Sequence, residues 1–143
     1  MAPYPGMWEI CTFAAIMNRE TRKQIAVAKK QSGCNCAQAV LCTYADIVGI
    51  DEETAMHLAA PFGAGMGNME GTCGAITGAG LVLGLSGAST RQMRQIMNKF
   101  QERNGATQCK LLKGVGTGNV LRECSDCVAD AAEFLEEQIG SGK

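Results

Sequence analysis

The chain has 143 residues, 46% of them apolar and 19% charged, with a formal net charge of −1 at pH 7. That length suits one domain, and so small a charge leaves no basic surface for nucleic acid. Eight cysteines without a secretory signal point to metal binding or redox chemistry ahead of structural disulfides.

Residues 1–18 read as an N-terminal extension of helical character. They have no basic n-region, and Glu9 interrupts their apolar stretch, so neither a secretory signal nor an anchor is expected. The longest apolar run, Ala75 to Leu85, is about half of the roughly 20 residues that a spanning helix needs. A cytoplasmic protein without membrane insertion is the expectation.

From Arg19 the apolar period predicts a helix to Gln31, closed by Ser32-Gly33. Asn35 is placed to cap a helix from Cys36 to Val48, which Gly49 ends. Asp51 is placed to cap a shorter helix through Ala59, stopped by Pro61. Phe62 to Gly71, with four glycines, reads as a loop that adopts positive φ. Thr72 then caps a small-residued helix from Cys73 to Leu85. Its glycines cost about 1 kcal/mol each in a helix interior, so tight tertiary packing has to support it. Thr90 caps an amphipathic helix to Asn104, Thr107 opens a short one through Leu112, and Gly114 to Gly118 form a link. A last helix runs from about Ser125 to Ile139. The expected fold is all-α, a compact bundle of about five to six helices with a central Gly/Ala-rich helix, formed by residues 19–139, with 140–143 as a tail.

Four cysteines share one predicted situation. Cys36 follows the Asn35 cap, Cys73 follows Thr72, Cys109 lies just after Thr107, and Cys124 immediately precedes Ser125. A helix start carries unpaired N–H groups and partial positive charge, which favour thiolate over thiol. Thiolate is the form that ligates metal or attacks a disulfide. The four are therefore expected to converge on one site, with the backbone of Gly71 and Gly74 beside it.

Cys11 and Cys42 lie in apolar runs and read as buried hydrophobes. Cys34 and Cys127 are candidates for a resolving thiol or an extra ligand, Cys127 as the end of a C-x-x-C that begins at Cys124. Val128 stands where covalent haem attachment requires histidine. His57, the only histidine, reads as a helix-surface residue. Gly63-Ala64-Gly65-Met66-Gly67 lacks G-x-G-x-x-G spacing, and Gly114 to Gly118 lacks a following Lys-Ser/Thr, so neither reads as a phosphate cradle. Met66, Met69, Met93 and Met97 read as packing residues.

The segments Gly33-Cys34-Asn35-Cys36-Ala37-Gln38-Ala39-Val40, Gly71-Thr72-Cys73-Gly74-Ala75-Ile76-Thr77-Gly78, Thr107-Gln108-Cys109 and Glu123-Cys124 resemble the C-GCAxxG-C-C family, over roughly Asn18 to Gln138. The resemblance implies a redox-active protein whose defining cysteines are Cys36, Cys73, Cys109 and Cys124. Cys11, Cys34, Cys42 and Cys127 fall outside its pattern. It extends to a domain of split-Soret cytochromes in which cysteines bind an iron–sulfur centre, but without a C-x-x-C-H it implies no covalent haem here.

Three readings stay open. In the first, Cys36, Cys73, Cys109 and Cys124 hold an iron–sulfur cluster or another thiolate-bound metal for electron transfer. In the second, the same thiols cycle between dithiol and disulfide. In the third, they only pack or staple a non-catalytic helical module. Expected partners are an electron donor or acceptor protein, or a small thiol. The Met93, Ile96 and Met97 face serves either the core or a homodimer. No acid–base pair stands out, so an oxidoreductase reaction is specified no further.

Overall fold

The computed structural model describes residues 21–141. The expected N-terminal extension, Cys11 included, lies outside the described residues. Eight α-helices follow in order: α1 (Arg22–Gln31), α2 (Cys36–Thr43), α3 (Ala45–Val48), α4 (Glu52–Ala59), α5 (Gly74–Leu85), α6 (Thr90–Asn104), α7 (Cys109–Lys113) and α8 (Cys124–Ser141). A 3-10 turn at Ala60–Phe62 and an irregular wide turn at Gly65–Met69 separate α4 from α5. Among the described residues there is no strand, only one isolated antiparallel bridge between Thr72 and Gln108. The fold is all-α. Among the described residues no helix is long and apolar enough to cross a membrane.

Side-chain caps fix most of the helix starts. Thr21, Asn35 and Ser89 each form a capping box with Gln24, Gln38 and Gln92, and Asp51 accepts from the Thr54 N–H. Three expectations need correction here. Ser89, not Thr90, caps α6, because its box partner Gln92 stands three residues on. Thr72 does not cap α5; its backbone is taken up in the bridge to Gln108, and Cys73 itself occupies the cap position. The expected helix from Cys36 to Val48 is two helices, broken at Tyr44. The buried Tyr44 ring anchors that break, its hydroxyl donating to the Ala132 carbonyl at 3.3 Å and to Glu136 Oε1 at 2.9 Å.

Two helices form the centre. Every residue of α2 except Gln38 is buried, and α5 buries seven of its twelve. They touch through glycine: a Cβ on Gly78 would stand 2.8 Å from the Ala37 carbonyl oxygen, and one on Gly74 would stand 2.9 Å from the Phe62 carbonyl oxygen and 3.3 Å from Cys36 Cβ. This close approach is the tertiary support that a glycine-rich helix requires. α8 covers α1, α2 and α5, and α6 packs along α5 and α8.

Ion pairs, one of them on a buried carboxylate, hold α6 to α8. The Asp130 carboxylate, 2% exposed, accepts from Arg103 at 2.8 Å, from Arg122 at 2.9 Å through two nitrogens, and from Asn104 at 3.0 Å. Arg103 also pairs with Glu133 and lies over the Phe134 ring, 4.6 Å from its centroid.

Candidate thiol site

The helix starts that carry cysteine meet at one end of the bundle. Cys36 is the first residue of α2, Cys109 of α7 and Cys124 of α8, and Cys73 is the cap of α5. Two chain segments distant in sequence are laced together to bring Cys73 beside Cys109. The Cys73 N–H donates to the Thr107 carbonyl at 2.8 Å, and the Cys109 N–H donates to the Gly71 carbonyl at 2.9 Å. Gly71 in turn donates to the Gly65 carbonyl at 3.0 Å.

The wide turn before α5 has to pass close to Cys109. Gly65, at φ 56°, is so near that a Cβ would stand 2.5 Å from Cys109 Cβ. Ala64, Met66 and Met69 also hold positive φ, of 52°, 67° and 67°. Such a backbone costs of order 1 kcal/mol or more per residue, and it persists where the surroundings over-determine it. Of the four glycines in this loop only Gly65 and Gly67 hold positive φ, and three other residues share it.

Cys36, Cys73, Cys109, Cys124 and Cys127 line one cavity of about 10 Å³, walled further by Ala64, Gly74, Leu112, Lys113 and Arg122. That is room for about one water. Four of the five thiols are buried, and Cys124 alone of them is half-buried.

Two sulfur pairs divide the cavity. Electrostatically the thiols couple as Cys36 with Cys124 and Cys73 with Cys127. Within the first pair, the Cys36 S–H donates to the Cys124 sulfur, which holds Cys124 down to about 5 and pushes Cys36 well above the ordinary thiol range. Lys113 Nζ donates to the same Cys124 sulfur and adds to the depression. Burial works to lower the Lys113 pKa, but the thiolate beside it leaves it raised. In the second pair, the Cys127 thiol is held protonated and Cys73 is lowered, first by its coupling to Cys127 and then, against burial, by the Ala75 and Ile76 N–H groups at the start of α5. Burial raises Cys109, and the Lys113 charge only partly offsets it.

Cys34 and Cys42 stand apart. Cys34 lies 3.9 Å from the sulfur of Met56, and burial with the Glu52 charge lifts Cys42 to about 11. His57 is exposed on α4.

Against known proteins, residues 34–138 match the family model described as "Putative redox-active protein (C_GCAxxG_C_C)". The chain belongs to the C_GCAxxG_C_C family. No curated protein and no solved structure matches it.

Cys36, Cys73, Cys109 and Cys124, the four cysteines expected to converge, all line the cavity, and Cys127 is the fifth. Gly74 also lines the cavity, whereas Gly71 acts one step back, its carbonyl holding the Cys109 N–H. Outside the pattern, sequence reasoning left Cys127 undecided and missed Lys113 and Arg122. Cys127 had a signal: it is three residues from Cys124, and residues three apart share a helix face. Lys113 had none, because its approach to Cys124 depends on the turn from α7 to α8.

The donor chemistry of five sulfurs suits a thiophilic metal. Their placement does not: among the described residues no group of three His, Cys, Asp or Glu side chains is arranged to hold a metal ion.

Proposed function

We propose that this redox-active protein works by thiol–disulfide exchange, with Cys124 as the attacking thiolate and Cys36 as its resolving partner. The observation that carries the reading is Cys124 itself. It is half-buried where its four neighbours are buried, it accepts from the Lys113 ammonium, and it is paired with a second thiol. Low pKa together with access is what distinguishes a reactive cysteine from a structural one.

The electrons balance in two steps. The Cys124 thiolate attacks one sulfur of a substrate disulfide, forming a mixed disulfide and expelling the other sulfur as thiolate, which takes the Cys36 proton. The Cys36 thiolate then attacks Cys124 Sγ, closes the Cys36–Cys124 disulfide and releases the second substrate sulfur. Two electrons pass from protein to substrate. The partner is a small disulfide or a protein that carries one.

A second reading, an iron–sulfur or other metal centre on Cys36, Cys73, Cys109 and Cys124, is favoured by the convergence of four helix starts on one cavity. Alkylation by iodoacetamide across pH, with the labelled peptide mapped, tests the first reading. Cys124 is expected to label first, with a midpoint near 5. Labelling that begins only near the ordinary thiol value overturns it. Iron with acid-labile sulfide in protein prepared without oxygen, together with a Cys124 closed to alkylation, establishes the second reading instead.

A further inference from the structure

The pair formed by Cys73 and Cys127 has no part in the exchange just described, yet it lines the same cavity. Cys73 is 5% exposed and Cys127 2%, and the cavity has room for about one water. No substrate disulfide can reach these sulfurs directly. The Cys127 thiol points back to the Arg122 carbonyl at 3.9 Å, and Gly74 brings the backbone beside Cys73 against Cys36. The sulfurs reachable from this pair are therefore those of the other cavity cysteines.

We infer that Cys73 and Cys127 are a second, internal dithiol that re-reduces the Cys36–Cys124 disulfide, so that the fully reduced protein delivers two pairs of electrons through the one half-buried thiol, Cys124. The inference rests on the exchange reading above.

The Cys73 thiolate attacks Cys36 Sγ, a Cys73–Cys36 bond forms, and Cys124 leaves as thiolate. Cys124 is the better leaving group of the outer pair, since a thiol of lower pKa departs faster, and Lys113 receives its charge. Cys127 then gives its proton to the departing Cys36 as it attacks Cys73 Sγ. The inner pair ends as a disulfide, the outer pair as one thiol and one thiolate. One proton has crossed from Cys127 to Cys36, and the net charge of the site is unchanged. Cys109 stays a thiol throughout.

The test is a stoichiometric titration of the reduced full chain with 2-hydroxyethyl disulfide, without oxygen, with every bond located by peptide mass spectrometry. Adducts on Cys11, Cys34 and Cys42 are thereby counted separately. The expected result is two equivalents consumed at the site, with Cys36–Cys124 and Cys73–Cys127 bonds. Cys127→Ala is expected to halve the consumption to one equivalent and keep the outer bond, and Cys124→Ala to abolish both bonds. Consumption of one equivalent, with Cys73 and Cys127 still free, overturns the internal dithiol and leaves the exchange reading standing. No consumption at the site removes that reading as well. A Cys73–Cys127 bond that still forms in Cys124→Ala shows direct access and overturns the relay. The wild-type count decides the matter even where a variant fails to fold.

Discussion

Asp130 and Cys124 both belong to α8, and the protein treats them in opposite ways. Asp130 is 2% exposed and surrounded by two arginines and an asparagine, so each of its oxygens is occupied. Cys124 is half-buried, and its partners are one lysine and one thiol that keeps its proton. The surrounded carboxylate joins helices. The thiolate keeps a bond to make. Arg122 sits on the border between them: it walls the thiol cavity, yet both of its hydrogen-bonded nitrogens are spent on Asp130.

The largest expected effect lies on the carboxylate side. Asp130→Ala takes the shared acceptor from Arg103, Arg122 and the buried Asn104 and is expected to cost about 2–3 kcal/mol, read as a lowered urea midpoint. The alkylation midpoint of Cys124 in the folded variant is expected to stay where it was. A loss below about 1 kcal/mol, the worth of an exposed pair, breaks the comparison. Next comes Gly74→Val, at about 1–3 kcal/mol from overpacking, because the new Cβ stands 2.9 Å from a backbone carbonyl that cannot turn aside. An unchanged melting curve contradicts the tight α2–α5 contact.

Acid sharpens the contrast through its two separate windows. Between about 5 and 9.0 the folded Cys36–Cys124 pair carries one charge, while the same thiols in the unfolded chain are protonated. The unfolded state binds more protons there, so stability rises with pH across that window and is lost as pH falls toward 5. Above 9.0 the sign reverses, because the raised Cys36 keeps its proton when the unfolded thiols release theirs. On the carboxylate side, Arg103 first and then Lys23 hold Glu133 down to about 2 from 4.5, so its contribution is lost only as pH falls through the lower window. Urea unfolding in reductant at stepped pH is expected to show a rising limb from 5 to 9 that Cys124→Ser flattens.

Lys113→Met isolates the lysine. It removes the cation but leaves the Cys36 S–H, so the Cys124 midpoint is expected to move up from about 5 without reaching 9.0, as read by alkylation. An unmoved midpoint removes Lys113 from the site. The smallest effect is Cys42→Ser, at the far end of α2, which is expected to leave Cys124 alkylation and the disulfide count unchanged.

The helices were legible because their signals are local. Asn35 and Asp51 announce α2 and α4, Gly105 ends α6, and the glycines of α5 demand the close neighbour that α2 supplies. The break at Tyr44 was hidden, since apolar residues keep their period through it and its cause lies on α8. Helix starts marked Cys36, Cys73, Cys109 and Cys124, but which sulfur pairs with which depends on packing. Spacing alone would pair Cys124 with Cys127; electrostatically each couples to a cysteine at another helix start.

The lacing of residues 71–73 to 107–109 also bears on how the chain is made. A chain synthesised from its N-terminus emits Cys36 long before Cys124, and domains fold as units once enough of them has emerged. Until α7 and α8 dock, Cys36 and Cys73 lack the partners that shift them and behave as ordinary thiols, mostly protonated near neutral pH. Docking of the last helix sorts thiols that were alike in the nascent chain, favouring the proton on Cys36 and its loss from Cys124.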